Sequence, residues 1–96
     1  MPDTSYRIPD HVIAREVGGE TVILDLNQGT YCGLNSVGAR FFQLLQEDKT
    51  VAQSVDFMLS EYEVERETLE QDLQDLTDTL VNQNLIHHRT ADGENG

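Results

Sequence analysis

The chain has 96 residues, 38% of them hydrophobic, and 18 Asp and Glu against 6 Lys and Arg give a formal net charge of −12. One domain with a modest core fits that length, without a deep internal active site, and the acid excess argues against affinity for nucleic-acid phosphates or an anionic membrane surface. No apolar run approaches the ~18 residues of a membrane span, no basic-then-apolar start signals secretion, and the lone Cys32 precludes an internal disulfide and fits a reducing cytoplasm.

Met1 to Asp10 is polar, holds both prolines, and reads as a mobile arm that orders near Ile8. His11 to Val17 alternates loosely and is rich in β-formers. Gly18-Gly19 follows, a two-residue hairpin signal because both positions accept φ > 0. Glu20 to Leu26 is a second strand, with Val22, Leu24 and Leu26 on one face and Thr21, Ile23 and Asp25 on the other. Asn27-Gln28-Gly29 forms the next turn. Thr30 to Leu34 is a third, short strand at one edge of an antiparallel meander. Val22–Leu26 and Val37–Leu45 supply much of the expected core.

The period then changes. Asn35 or Ser36 caps a helix whose apolar face is Val37, Phe41, Leu44 and Leu45. Gly38 in its first turn costs about 1 kcal/mol against Ala, which points to a close approach of backbone to the sheet. Thr50 and Gln53 form a capping box for a second helix, Val51 to about Glu61, with Val51, Val55, Met58 and Leu59 inward. A third helix runs from about Glu65 to Gln83 on a stripe of Leu69, Leu73, Leu76 and Leu80. Acids crowd its start, where they favour the helix dipole. Asn84 is a left-handed cap, Leu85 to His87 a last extended piece, and residues 89–96 a polar, disordered tail. The fold class is α+β, and residues 11–88 make a single domain.

No catalytic constellation stands out. Cys32 has no base or cation beside it in sequence to lower its pKa, so a small buried side chain is the plain reading. His87 and His88 point to opposite sides of an extended piece and, with His11 and Cys32, lack the spacing of a metal site. The glycines precede no helix with a Lys behind it, so they form turns, not a phosphate loop. Acidic pairs such as Glu61 with Glu63, Glu65 with Glu67, and Asp72 with Asp75 usually mark solvated helix faces. Asp72, Asp75 and Thr79, however, share a flank of the third helix beside the leucine stripe. If that flank borders the sheet, it can receive basic side chains of a bound peptide. The strongest signal is Thr30–Leu34 itself. This edge carries no Lys, Pro or charge to block pairing, so it either accepts an extended peptide as an added strand or is covered by another part of the chain.

The run VILDL (Val22 to Leu26), the turn NQG, TYCGLN (Thr30 to Asn35) and VGARFFQLL (Val37 to Leu45) together resemble the PqqD family of leader-peptide recognition domains. The likeness extends over about residues 10 to 88. It implies a winged-helix-like fold, a three-stranded antiparallel sheet followed by three helices, with no catalytic chemistry, metal or cofactor of its own. It also implies that a precursor's leader pairs with the third strand and lies between that strand and the third helix. On this chain the backbone of Thr30, Tyr31, Cys32, Gly33 and Leu34 supplies the pairing, and Asp72, Asp75, Leu76 and Thr79 line the other wall.

Within the family the chain is most like the standalone leader-binding proteins of lasso peptide clusters. These hand the precursor to a leader peptidase of the transglutaminase-like cysteine protease type, and their leaders tend to carry a Tyr-x-x-Pro element. A PqqD-type role beside a radical SAM enzyme is the alternative, and a winged-helix DNA-binding regulator a more distant one that the charge disfavours. The chain has Asn84 where the family often has Gly, and Phe42 where Trp is frequent. Neither departure disturbs the fold expectation.

Overall fold

The computed structural model describes residues 4–89. Its elements in chain order are β1 (Ser5–Arg7), β2 (Val12–Val17), β3 (Glu20–Asp25), β4 (Thr30–Leu34), α1 (Ser36–Gln46), α2 (Val51–Glu61), α3 (Arg66–Asn82) and β5 (His87–Arg89). Strands β2, β3 and β4 form an antiparallel sheet in that order, so β3 is central and β4 is an edge. The pairs Ala14↔Ile23↔Cys32 and Ile13↔Leu24↔Tyr31 fix its register. Gly18 and Gly19, at φ 60° and 85°, turn β2 into β3 as their sequence requires.

The turn after β3 is built by a side chain. Asp25 Oδ1 accepts the amides of Asn27 and Gln28 at 2.9 and 3.1 Å, and the Asp25 carbonyl accepts Gly29 N–H at 2.7 Å. The strand therefore stops at Asp25, one residue short of the expected end. Asp25 is 1% exposed and Leu26 61%. Of Val22–Leu26, expected to supply core, Ile23 and Asp25 alone are buried. A carboxylate takes the inward position because the turn's amides need an acceptor there.

The helices end as their sequences specify. Asn35 caps α1 by accepting Gly38 N–H at 2.8 Å, and Thr50 and Gln53 complete a reciprocal capping box on α2. Asn84, at φ 61°, closes α3. Its amide bonds Val81 O and Leu85 N–H bonds Leu80 O, the paired bonds of a Schellman motif. Phe41, Phe42, Leu44 and Leu45 of α1 meet Val55 and Met58 of α2, Leu69, Leu73 and Leu80 of α3, and Ile23 and Leu34 of the sheet. Leu85 and Ile86, both 0% exposed, lead from α3 into β5 through this core.

Two readings change at the ends. The stretch 1–10, expected to stand off as an arm ordering near Ile8, contributes β1, which pairs antiparallel with β5 in the register Ser5↔Arg89, Tyr6↔His88, Arg7↔His87. Tyr6 is buried and its ring lies 4.7 Å from that of His88. The expected tail, 89–96, lies outside the described residues except for Arg89, which ends β5 and pairs with Asp48 at 2.9 Å. Among the described residues no helix is long and apolar enough to cross a membrane.

Candidate functional site

Beside β4 a groove of about 380 Å³ runs between the sheet edge and α3. Gly33, Leu34 and Asn35 form one wall, Asp72, Leu73, Asp75 and Leu76 the other, and Val37 and Gly38 at the start of α1 close the floor. Geometry on α3 explains this lining. At about 100° per residue, Leu69, Leu73, Thr77 and Leu80 share the core side, and all four are buried. Leu76 falls just off it, then Asp72, then Asp75. The helix thus passes from core to apolar groove wall to carboxylate rim.

Leu76 was expected on the core stripe and also, through the family resemblance, on the groove wall. It is half-buried and lines the groove, while Thr77 takes the core position with its hydroxyl donated to Gln74 O at 2.9 Å. Val37, half-buried, packs against the core as expected for the apolar face of α1 and also lines the groove. Gly38 makes the approach possible. A Cβ there would stand 3.3 Å from both Asn35 Oδ1 and Leu76 Cδ2, and 3.5 Å from Leu34 Cβ.

The other candidates are placed as follows. Thr30 and Tyr31 are exposed on β4, and Cys32 is half-buried against the core. The Cys32 thiol meets the Gly33 carbonyl at 3.8 Å, an acceptor and not a base that would activate it. Thr79 is exposed one turn beyond Asp75, with its hydroxyl donated to Asp75 O at 3.1 Å, and lies outside the groove lining. Asp72 and Asp75 are exposed, and the Asp75 carboxylate accepts Gln71 Nε2 at 3.1 Å. Val37, Gly38, Asn35 and Leu73 joined the site only in three dimensions. Gly38 was the one with a signal in sequence, as a glycine where a helix disfavours it.

The electrostatics are one-sided. Arg66, the one base on α3, is held by Asp56 at 2.8 Å and Glu70 at 3.5 Å, and the hydrogen bond to Asp56 raises its pKa. The groove rim therefore presents carboxylates without a cation beside them on this helix. Among the described residues no group of His, Cys, Asp or Glu is arranged to hold a metal ion.

The family model described as coenzyme PQQ synthesis protein D (PqqD) matches residues 20–86. Two solved structures are similar. TbiB1 in complex with the TbiA(beta) leader peptide is 41% identical, with a TM-score of 0.75 over 83% of this chain and 93% of that one. Lasso peptide synthetase B1 complexed with the leader peptide is 29% identical, with a TM-score of 0.73 over 90% and 99%. No curated protein matches.

Proposed function

Because the chain belongs to the PqqD family, we propose that it binds the leader of a ribosomally made precursor as a strand added to β4 and presents it to a separate leader peptidase, without catalysing a reaction itself. The observation that carries this reading is an edge strand that, among the described residues, pairs only with β3 and faces α3 across an open groove. A strand's free edge supplies backbone donors and acceptors, and the pocket beside it selects side chains. Here the selection favours an apolar residue against Leu76 and Val37, flanked by a basic one near Asp72 or Asp75. TbiB1 and lasso peptide synthetase B1 were each solved with a leader peptide, which supports the same ligand class. The compartment proposed is the cytoplasm, where precursor synthesis takes place.

Titration of a fluorescently labelled leader peptide, first the TbiA(beta) leader bound by the 41%-identical TbiB1, tests the reading, and saturable binding is expected. Successive N–H groups on a strand point to opposite edges. Of Tyr31→Pro and Cys32→Pro, one therefore breaks the ladder with β3, and the other removes only a free-edge donor. The second variant should melt near the wild type yet bind the leader at least tenfold more weakly. If both variants fold and bind as the wild type does, strand addition at β4 is wrong. Asp72→Asn with Asp75→Asn should weaken binding by about 0.2–1 kcal/mol per basic contact, and less in high salt, where screening has already removed the attraction.

A duplex-binding regulator is not supported. Used as a recognition helix, α3 would bring Glu67, Glu70, Asp72, Asp75 and Asp78 toward phosphates, with its lone Arg66 already paired.

A further inference from the structure

A second hollow opens under the β2-β3 hairpin, past the end of the groove. About 680 Å³ of space lies between the hairpin, at Glu16, Gly19, Glu20 and Thr21, and the side of α1 that carries Ser36, Ala39, Arg40 and Gln43. Glu16 and Thr21 stand in register with Leu34, on the sheet face that also carries the buried Ile23. A further 260 Å³ continues the space toward Gln46, with Glu16, Thr21, Ala39 and Gln43 lining both parts. Ser36, Ala39, Gln43 and Gln46 recur at three and four residues and so share one face of α1. The result is a trough that follows α1 for about 15 Å at the helical rise. Gly33, Leu34 and Asn35 wall both this trough and the groove beside α3. The two therefore meet around the N-terminus of α1, where Asn35 caps the helix.

We propose that the trough is a second subsite for the precursor. It takes the residues that immediately precede the stretch added to β4, as an extended, polar segment free of acids. The inference rests on the leader-binding reading above. Continuity is the first argument. Strands β3 and β4 are antiparallel. A strand added to β4 in the same sense, the more stable pairing, starts beside Leu34 and ends beside Thr30. Residues before its start therefore leave the groove at the wall the trough shares, and about 15 Å of trough holds roughly four or five extended residues. Chemistry is the second argument. The lining is largely hydroxyls, amides and small side chains, with Phe42, 1% exposed, beneath. Arg40 is already engaged: its Nε and Nη2 donate to the Glu61 carboxylate at 2.9 and 2.7 Å, and its Nη1 to Gln43 Oε1 at 2.9 Å. That last bond leaves the Gln43 amide nitrogen to donate to a carbonyl. On the hairpin side Glu16 and Glu20 outnumber Arg15, which disfavours an acidic segment. The apolar groove beside Leu76 and Val37 makes a different selection, so the two subsites read different parts of one peptide.

The test uses the full chain, the TbiA(beta) leader and versions of that peptide shortened one residue at a time from the N-terminus. Wild-type affinity should fall in two steps: at least fivefold as the flanking residues go, then completely as the stretch paired with β4 is lost. Ala39 lines the trough and is not part of the groove lining, so Ala39→Trp obstructs the one and spares the other. This variant should bind the full leader at least fivefold more weakly than the wild type and show the second step alone. Equal affinity of wild type and variant for the full leader would overturn the proposal and leave leader binding standing. A variant that weakens the shortest binding peptide as much as the full leader would overturn it too, since the loss would then arise in the groove. So would a first step that appears only on shortening from the C-terminus. Failure of the wild type to bind any of these peptides would instead sink the leader reading itself, and this inference with it. If Ala39→Trp impairs folding, Gln43→Trp, at an exposed position of the same face, replaces it with the same expectation.

Discussion

Gly38 is the residue on which fold and site meet. It lies where the end of β4, the cap of α1 and Leu76 of α3 come together, and its missing side chain sets the depth of the groove. Asn35 Oδ1 is held in place by the Gly38 amide, so it has little room to yield to a new Cβ. Leu76 lines the groove, so any yielding there alters the groove's shape. Gly38→Leu should therefore destabilise the domain by about 1–3 kcal/mol through overpacking and weaken leader binding in parallel. Thermal melts and the leader titration check the two effects separately. A variant that folds and binds normally would place the leader elsewhere. The residue was conspicuous in sequence because a helix interior penalises glycine. Its contact with Leu76 was not, since it spans thirty-eight positions, whereas Leu34 and Asn35 lie within about a turn of it.

At the scale of elements, the capping motifs were legible because each is local. Asn35, the Thr50–Gln53 box and Asn84 all satisfy backbone groups within a turn of themselves. The faces of β3 were less so. Val22, Leu24 and Leu26 are all apolar, and the charged Asp25 marks the opposite face as solvent by an alternation rule, although Glu20 at the strand start shares the apolar face. The structure buries Asp25 because the following turn draws its carboxylate inward, and the apolar face stays outside. Helix α1 is tied to α2 by a bidentate pair, Arg40 Nε and Nη2 to the Glu61 carboxylate at 2.9 and 2.7 Å. The hydrogen bonds from Arg40 hold the Glu61 carboxyl below its ordinary pKa. A depressed carboxyl pKa contributes stability that is present above the unfolded-state value and is lost as pH falls through the folded-state value. Glu61→Gln should thus lower Tm slightly at pH 7, the pair being exposed, and the difference from wild type should vanish on acidification below the carboxylate range. A Tm difference that persists at low pH would mean that the side chain acts through packing and not charge.

At the scale of the whole molecule, the two ends of the described chain hold each other. Ser5↔Arg89 is a contact across nearly the whole sequence, so no local pattern in SYR or HHR announces it. That is why the N-terminal stretch read as an arm. The clasp is more than a ladder of three residues. Tyr6 is 7% exposed within the core, Thr4 O accepts Val51 N–H at 2.8 Å at the start of α2, and Arg89 reaches Asp48 in the loop before it. The small sheet therefore anchors α2, while the groove proposed for the leader lies between β4 and α3. Tyr6→Ala should cost about 3 kcal/mol, as large-to-small changes of buried aromatics do. In a domain whose total stability is about 5–15 kcal/mol, that lowers Tm by more than about 10 °C. Leader affinity measured well below the new Tm should stay within a few-fold of wild type, because the groove wall does not include β1. An unchanged Tm would show that the terminal strands lie outside the cooperative unit, and a lost affinity in a folded variant would show that the clasp reaches the groove through α3.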